Sequence, residues 1–301
     1  MMYDIIIVGA GPAGLTAAIY ARRADKRVLV LEKETFGGQI TFSPCVENYP
    51  GFVKMSGNEF AERLIEQAQN LGADIDLAEV TGIEVKGEHR VVHTDNGDYE
   101  TRAVILATGS RHRPLGVARE EEFIGEGISY CAVCDGAFYT DRDVAVIGGG
   151  NSALQEAVLL ADTCRSVTVV QNLGFLTGEA RLAQKLAEKS NVRVMLGYTV
   201  EALLGDRAIT GITLKDQNGK KTDLSLDGVF VCIGQIPENG AFADLVEVNE
   251  YGYIVADERC LTRDEAVFVA GDCRTKGIRQ ITTATGDGAT AAIAACRYLD
   301  R

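Results

Sequence analysis

The sequence is short of positive charge, of histidine and of long apolar runs, and each shortage removes a class of function. Lysine and arginine number 30 against 43 aspartates and glutamates, for a net charge of −13. Such a field repels nucleic acid and anionic membrane surfaces, although a local patch such as Arg111-His112-Arg113 can override it toward an acidic protein partner. No apolar run reaches the ~18 residues that a membrane-spanning helix needs. The apolar start Ile5-Ile6-Ile7-Val8 has no basic segment before it and runs straight into a glycine loop. It reads as a buried strand rather than a signal peptide, and the cytoplasm is the expected location. There are only three histidines, His89, His93 and His112, and only one closely spaced pair among the eight cysteines. A zinc site would need a second ligand pair at matching spacing, so no metal is expected. The six scattered cysteines, Cys45, Cys164, Cys232, Cys260, Cys273 and Cys296, are expected to act as small buried hydrophobes.

What is present is a soluble, globular composition. The 301 residues are 46% hydrophobic and 24% charged, enough for two domains with substantial cores. Residues 3–8 read as a buried parallel strand. Gly9-Ala10-Gly11-Pro12-Ala13-Gly14 follows, then a helical pattern from Leu15 to Ala24 and a second strand ending in Glu32. In that order these are a dinucleotide-binding fingerprint. Glycines make the tight turn and let backbone approach a pyrophosphate, the helix N-terminus faces the phosphates, and the acid accepts from ribose hydroxyls. Phe36-Gly37-Gly38-Gln39-Ile40 and residues 47–52 read as ordered loops. A helix is expected over 57–71, and short alternating strands over 73–104 with a hairpin at Asn96-Gly97. A buried strand then ends in Ala107-Thr108-Gly109.

Past Pro114 the character changes. Glu120-Glu121-Glu122 reads as solvated surface. Cys131 and Cys134 follow, two residues apart, with Asp135 and Gly136 directly after. A C-x-x-C pair lowers the pKa of one thiol, and a neighbouring carboxylate can deliver or accept its proton, so this stretch is a redox device. The opening pattern then repeats: a strand over 143–147, Gly148-Gly149-Gly150-Asn151-Ser152-Ala153, a helix to Ala161 and a strand over 167–170. A second hairpin is expected at Asn218-Gly219 and a buried strand over 228–233. The tail returns to the first style, with a strand ending in Gly271-Asp272, then Arg279-Gln280-Ile281 and a final helix from Asp287 to Tyr298. This predicts an α/β fold of two Rossmann-like nucleotide-binding domains, each with a β-meander insertion. The first is discontinuous (1–114 and 238–301), and the second (115–237) carries the cysteine pair.

The motifs GAGPAG (9–14), GGQI (37–40), ENYPGF (47–52), ATG (107–109), SYCAVCDG (129–136), GGGNSA (148–153), FVAGD (268–272) and RQITTATGDGA (279–289) span essentially the whole chain. In this order the chain resembles the low-molecular-weight thioredoxin reductases, of the FAD/NAD-linked disulfide reductase type. The resemblance implies a homodimer, a thioredoxin-like protein as partner and FAD in the first domain. FAD would lie on Gly9, Gly11, Pro12, Ala13 and Gly14 at the pyrophosphate and on Glu32 at the adenosine ribose. Gly38, Gln39, Asn48, Val80, Ala107, Thr108 and Gly109 would lie along the cofactor. Gly271, Asp272, Arg279, Gln280 and Ile281 would lie at the ribityl chain and ring. A helix starting at Asp287 would aim its positive end at the flavin edge that gains negative charge on reduction. The resemblance also makes Cys134 the sulfur that exchanges with flavin, Cys131 the sulfur that attacks the partner and Asp135 the acid–base.

One segment departs from the family. NADPH-using members read the 2′-phosphate with a basic cluster after the second strand of the second domain. Here residues 171–179, Gln-Asn-Leu-Gly-Phe-Leu-Thr-Gly-Glu, contain no Lys, Arg or His. Gln171 also stands where an NAD site would want an acid. The chain therefore resembles the pyridine-nucleotide-independent branch, the ferredoxin-dependent flavin thioredoxin reductases and their diflavin relatives. NADPH is not the expected donor, ferredoxin is, and a second flavin in the vacated pocket is a further reading. The alternatives are an ordinary NADPH enzyme charged by Arg181, Lys185 or Arg207, a dithiol oxidase using oxygen, or a redox sensor without turnover.

Overall fold

The structure, a computed structural model, describes residues 2–43 and 46–301, with Phe42 described in its backbone only. The expected burial of Cys45 lies outside the described residues. The chain divides into two compact units, residues 1–111 with 236–301 and residues 112–235.

The first limb of unit 1 contains β1 (Tyr3–Val8), α1 (Pro12–Arg23), β2 (Val28–Glu32), α2 (Gly57–Asn70), β3 (Asp74–Leu77), β4 (Val80–Lys86), β5 (His89–Thr94) and β6 (Gly97–Leu106). The chain passes into unit 2 at β7 (Ser110–His112). Unit 2 holds β8 (Ile128–Ser129), α3 (Ala132–Asp135), β9 (Asp143–Ile147), α4 (Asn151–Leu160), β10 (Ser166–Gln171) and α5 (Ala180–Ala187). It continues through β11 (Val192–Leu196), β12 (Tyr198–Gly205), β13 (Ile209–Asp216), β14 (Lys221–Ser225) and β15 (Gly228–Val231). The chain returns at β16 (Gln235–Pro237) to β17 (Val267–Val269) and α6 (Ile281–Leu299).

In unit 1 the parallel order is β3-β2-β1-β6-β17, and β4 and β5 add an antiparallel meander to the same seven-stranded sheet. β6 serves both parts. Its first half pairs antiparallel with β5 (Thr94 opposite Gly97), and its last residues pair parallel with β17 (Leu106 opposite Val269). β1 shows why an unbroken apolar run makes a central strand. Ile5 and Ile7 pack into one core with Leu15, Ala18, Ala291 and Ala295, while Ile6 and Val8 pack into another with Val92, Val104 and Phe242. Burial on both faces, at about 1.5–3 kcal/mol per large side chain, favours this arrangement over an amphipathic helix.

Unit 2 repeats the plan. The parallel order is β11-β10-β9-β15-β8, and β12-β13-β14 form a separate antiparallel sheet. Both expected hairpins are present, between β5 and β6 and between β13 and β14. Two helices start earlier than their apolar periodicity suggests. α1 begins at Pro12, because proline at the first helical position loses no hydrogen bond. α6 begins at Ile281 rather than Asp287, with Gln280 as N-cap. The Gln280 side chain takes the Thr283 N–H, and Thr283 Oγ1 takes the Gln280 N–H at 3.1 Å. This capping box is written in glutamine and threonine, and the helix then crosses α1 through a glycine. A Cβ on Gly288 would stand 2.2 Å from the Ala13 carbonyl oxygen.

Candidate functional site

In unit 1 the glycine loop is shaped by close approaches. Gly9 has φ +108°, and a Cβ there would lie 2.3 Å from the Ala107 carbonyl oxygen. On Gly14 it would lie 1.9 Å from the Gly9 carbonyl. Gly11 caps α1 without any side-chain bond and the first turn has no acid, so the leading N–H groups of α1 face out with a positive end. A Cβ on Gly38, φ +64°, would lie 3.3 Å from Gly11 Cα, and Gly37 N–H donates to the Ala10 carbonyl at 2.8 Å. Glu32 closes the loop: Oε2 accepts from Ala10 N–H at 2.8 Å, and Oε1 accepts from Lys33 and Glu34 N–H.

The return limb of the same unit packs against the start of α1. Gly271, φ +83°, would place a Cβ 2.8 Å from Ala13 Cβ. Thr108 Oγ1 donates to Asn239 Oδ1 at 2.9 Å, holding the segment that continues to Gly109. Asn48 Nδ2 donates to Gln280 Oε1 at 3.2 Å, so two expected contacts from distant parts of the chain meet at the start of α6. Arg279 lies over the Tyr253 ring at 4.1 Å and donates to the Asp272 carbonyl at 3.3 Å. Gln39 stands exposed in a short 3-10 helix over Gly38–Phe42. Val80 opens β4 and packs against the second core cluster.

Asp272 Oδ1 is buried with no hydrogen-bond partner, and burial pushes this carboxyl up to about 6, against the pull of Lys276 and Arg279. A buried acceptor without a donor beside a bare helix N-terminus is what a dinucleotide with ribityl hydroxyls would complete, so these residues fit a flavin dinucleotide. Asp287, expected to open the last helix, is not at the helix start. It lies two turns into α6, where its carboxylate takes Gly271 N–H, Arg274 Nε and Nη2, and Lys276 Nζ. Arg274 and Lys276 are 3% and 6% exposed, so this buried network joins the loop after β17 to α6.

In unit 2, Cys131 and Cys134 are joined as a disulfide, with Cα atoms 5.3 Å apart. Cys131 is the N-cap of α3, and its Sγ accepts from Cys134 N–H at 3.2 Å. Ser129 ties the motif together: Oγ accepts from Cys131 N–H at 3.1 Å and donates to Asp135 Oδ2 at 2.6 Å. Asp135 Oδ1 is buried without a partner, and burial raises this carboxyl while the Ser129 bond opposes the rise. Val133, between the two cysteines, and Phe138, four residues after Cys134, stand 53% and 58% exposed.

The glutamate run is not all solvated. Glu120 is 5% exposed, and its carboxylate accepts from Leu115 and Gly116 N–H and from Tyr130 Oη at 2.9 Å. Tyr130, next to Cys131, also stacks on His112 at 5.0 Å between ring centres. A run of three acids gave no sign of this, because the donors lie in other segments. Among the scattered cysteines, Cys164, Cys260, Cys273 and Cys296 are buried, but Cys232 is half-buried and donates to Glu156 at 2.9 Å.

The second glycine loop keeps its turn at Gly148, φ +134°, but residues 171–179 fold back onto it. Thr177 and Gly178 N–H both donate to the Gly149 carbonyl, at 2.8 and 2.9 Å. Gln171 is 6% exposed and packs on Gly149, where a Cβ would meet its Nε2 at 2.5 Å. Asn151, the first residue of α4, is clasped by Glu179. Glu179 N–H donates to Asn151 Oδ1 at 2.7 Å, and Asn151 Nδ2 donates to Glu179 Oε1 at 3.1 Å. Among the described residues no group of three or more His, Cys, Asp or Glu is placed to hold a metal ion, and no helix is long and apolar enough to cross a membrane.

Residues 3–288 match the pyridine nucleotide-disulphide oxidoreductase family. The chain is 42% identical to a thioredoxin reductase of Treponema pallidum, over 99% of this chain and 97% of that protein. It is 41% identical to a 34.2 kDa protein in the rubredoxin operon of Clostridium pasteurianum, over 98% and 97%. The crystal structure of thioredoxin reductase from Streptococcus pyogenes superposes with a TM-score of 0.90 at 38% identity, covering 99% of this chain and 98% of that one. With its two Rossmann-like units and paired cysteines, the chain belongs to the pyridine nucleotide-disulphide oxidoreductase family and is a thioredoxin-reductase-like flavoprotein oxidoreductase acting on disulfides.

Proposed function

We propose that Cys131 and Cys134 carry electron pairs from FAD to a thioredoxin-like protein, and that the donor to the flavin is not a nicotinamide nucleotide. FAD would be held by the unit 1 residues described above, and when bound it supplies a carrier that takes electrons singly or in pairs. In the reduced state the Cys131 thiolate attacks the partner disulfide, forming a mixed disulfide and releasing one partner thiolate. The Cys134 thiolate then attacks Cys131 Sγ, which restores the enzyme disulfide and frees the second partner sulfur. Asp135 delivers a proton to the departing sulfur. The bond from Cys134 N–H supports this order, since it favours negative charge on Cys131 Sγ.

The observation that carries the donor assignment is the state of the second glycine loop. Residues 171–179 offer a 2′-phosphate no cation. Their backbone folds over Gly149, and Glu179 puts a negative charge at the helix end where a pyrophosphate would sit. Losing two or three charge-assisted bonds, at about 1.5–3 kcal/mol each, weakens binding by several powers of ten. A one-electron protein donor such as ferredoxin fits, because flavin joins one-electron and two-electron chemistry. The protein would work as a cytoplasmic homodimer. The test is anaerobic titration of the purified protein with NADPH, NADH and reduced ferredoxin, followed by flavin bleaching and thioredoxin reduction. Ferredoxin is expected to bleach the flavin. Saturable turnover at micromolar NADPH would return the protein to the ordinary reductases.

A further inference from the structure

Glu156 is a half-buried acid in unit 2 with no part in the chemistry above. It is the sixth residue of α4, and its Oε2 accepts from two donors: the Cys232 thiol at 2.9 Å and Ala132 N–H at 3.3 Å. Cys232 follows β15 and is anchored by its own N–H to the Ile147 carbonyl of β9 at 2.8 Å. Ala132, 3% exposed, is the residue directly after Cys131. Three separate elements therefore converge on one carboxylate oxygen, one peptide group away from the attacking sulfur.

The surroundings keep both partners in their roles. Burial pushes the Glu156 carboxyl up, the bonds from Cys232 and Ala132 pull it down, and the charge of Asp135 on α3 adds to the rise. Burial, then the charge of Glu156, pushes the Cys232 thiol well above its ordinary value, so it stays protonated and donating. Asp135 is in turn faced by the Ser129 hydroxyl and by Tyr139, whose phenol burial and Asp135 push up to about 12.

We propose that Glu156 is a positioning residue of the redox pair: held by the Cys232 thiol, its carboxylate fixes the backbone at Ala132 and places a negative charge that opposes thiolate formation at Cys131. The consequence suits a reductase. A dithiol whose thiolate is favoured is a strong oxidant, because its reduced form is stabilised; opposing the thiolate makes the pair more reducing. The inference rests on Cys131 and Cys134 being the exchanging pair.

The test reads ionisation of Cys131 directly. The holoprotein is reduced anaerobically and alkylated with iodoacetamide between about pH 5 and about pH 10, which brackets the free thiol value of about 8.5, and Cys131 is quantified by peptide mass spectrometry. In Glu156→Gln the amide oxygen can still accept from Ala132 and Cys232, so the charge is removed while the anchor stays. The midpoint is expected to fall by about half a unit to one unit, giving about three- to tenfold faster alkylation below it. Cys232→Val takes the donor from the carboxylate and leaves the charge weaker, so it should move the midpoint the same way by less. A purely structural anchor would leave the midpoint in place in both variants and lower the melting temperature only of Cys232→Val. Profiles that superpose on wild type in both variants overturn the proposal. Failure of the underlying assignment looks different: Cys131 and Cys134 of the wild type would then not become alkylatable together on reduction.

Discussion

Asp135 has two oxygens in unlike circumstances: Oδ2 holds the Ser129 hydroxyl, and Oδ1 is buried without a partner. An acid destabilised by burial keeps its proton to higher pH and can give it to a departing thiolate. Asp135→Asn is therefore expected to slow partner reduction by about 10²–10⁴-fold and flavin reduction much less. Rapid-mixing measurements of the two half-reactions check this, and equal slowing would assign Asp135 a structural role. The same acid predicts that partner reduction by the wild type declines as pH rises through its raised pKa. Cys134→Ser should trap thioredoxin as a stable mixed disulfide through Cys131, visible on a non-reducing gel, whereas Cys131→Ser should not. Asp272 offers a stability test. Its folded pKa, about 6, lies above the ordinary value, so the folded apoprotein binds more protons than the unfolded chain between these values. The fold then loses stability as pH rises through that window. Between pH 5 and 7.5, denaturant melts of the apoprotein should show wild type losing on the order of 1 kcal/mol relative to Asp272→Asn. A constant difference would mean that Asp272 titrates normally.

At the scale of elements, α6 ties the return limb to the glycine loop of unit 1. Asp287 meets the two cations Arg274 and Lys276, and it also holds Gly271 N–H. Removing the carboxylate strands both cations in a buried setting. Asp287→Ala is expected to cost about 3–5 kcal/mol of stability and to weaken cofactor retention, measured by denaturant unfolding and flavin absorbance. Loss under about 1 kcal/mol would show that the cations find water instead. The helix start could not be read from the sequence for a physical reason. Residues 281–286, Ile-Thr-Thr-Ala-Thr-Gly, are β-branched, small or glycine, with poor intrinsic helix preference. Packing against α1, through Gly288 and Ala13, outweighs that preference.

At the scale of the whole molecule, one FAD per chain is expected. Denaturation should release it in that ratio, and a colourless protein or FMN alone would remove the basis of the flavin assignment. The motifs that could be read from the sequence are local ones: the glycine loops, the terminal acid Glu32, the C-x-x-C-D stretch and the two hairpins. Each is determined by covalent neighbours, since tight turns need glycine and a dithiol needs its spacing. The same holds for the alternating strand and helix patterns, which set the α/β class and the internal repeat. Tertiary structure decided what depends on atoms distant in sequence. It turned Glu120 inward to Tyr130, and it gave Asp287 its two cations. It folded 171–179 onto Gly149, and it brought Cys232, Glu156 and Ala132 to one point. A polar side chain's role depends on whether burial removes water and which donor replaces it, and that donor comes from another element of the fold.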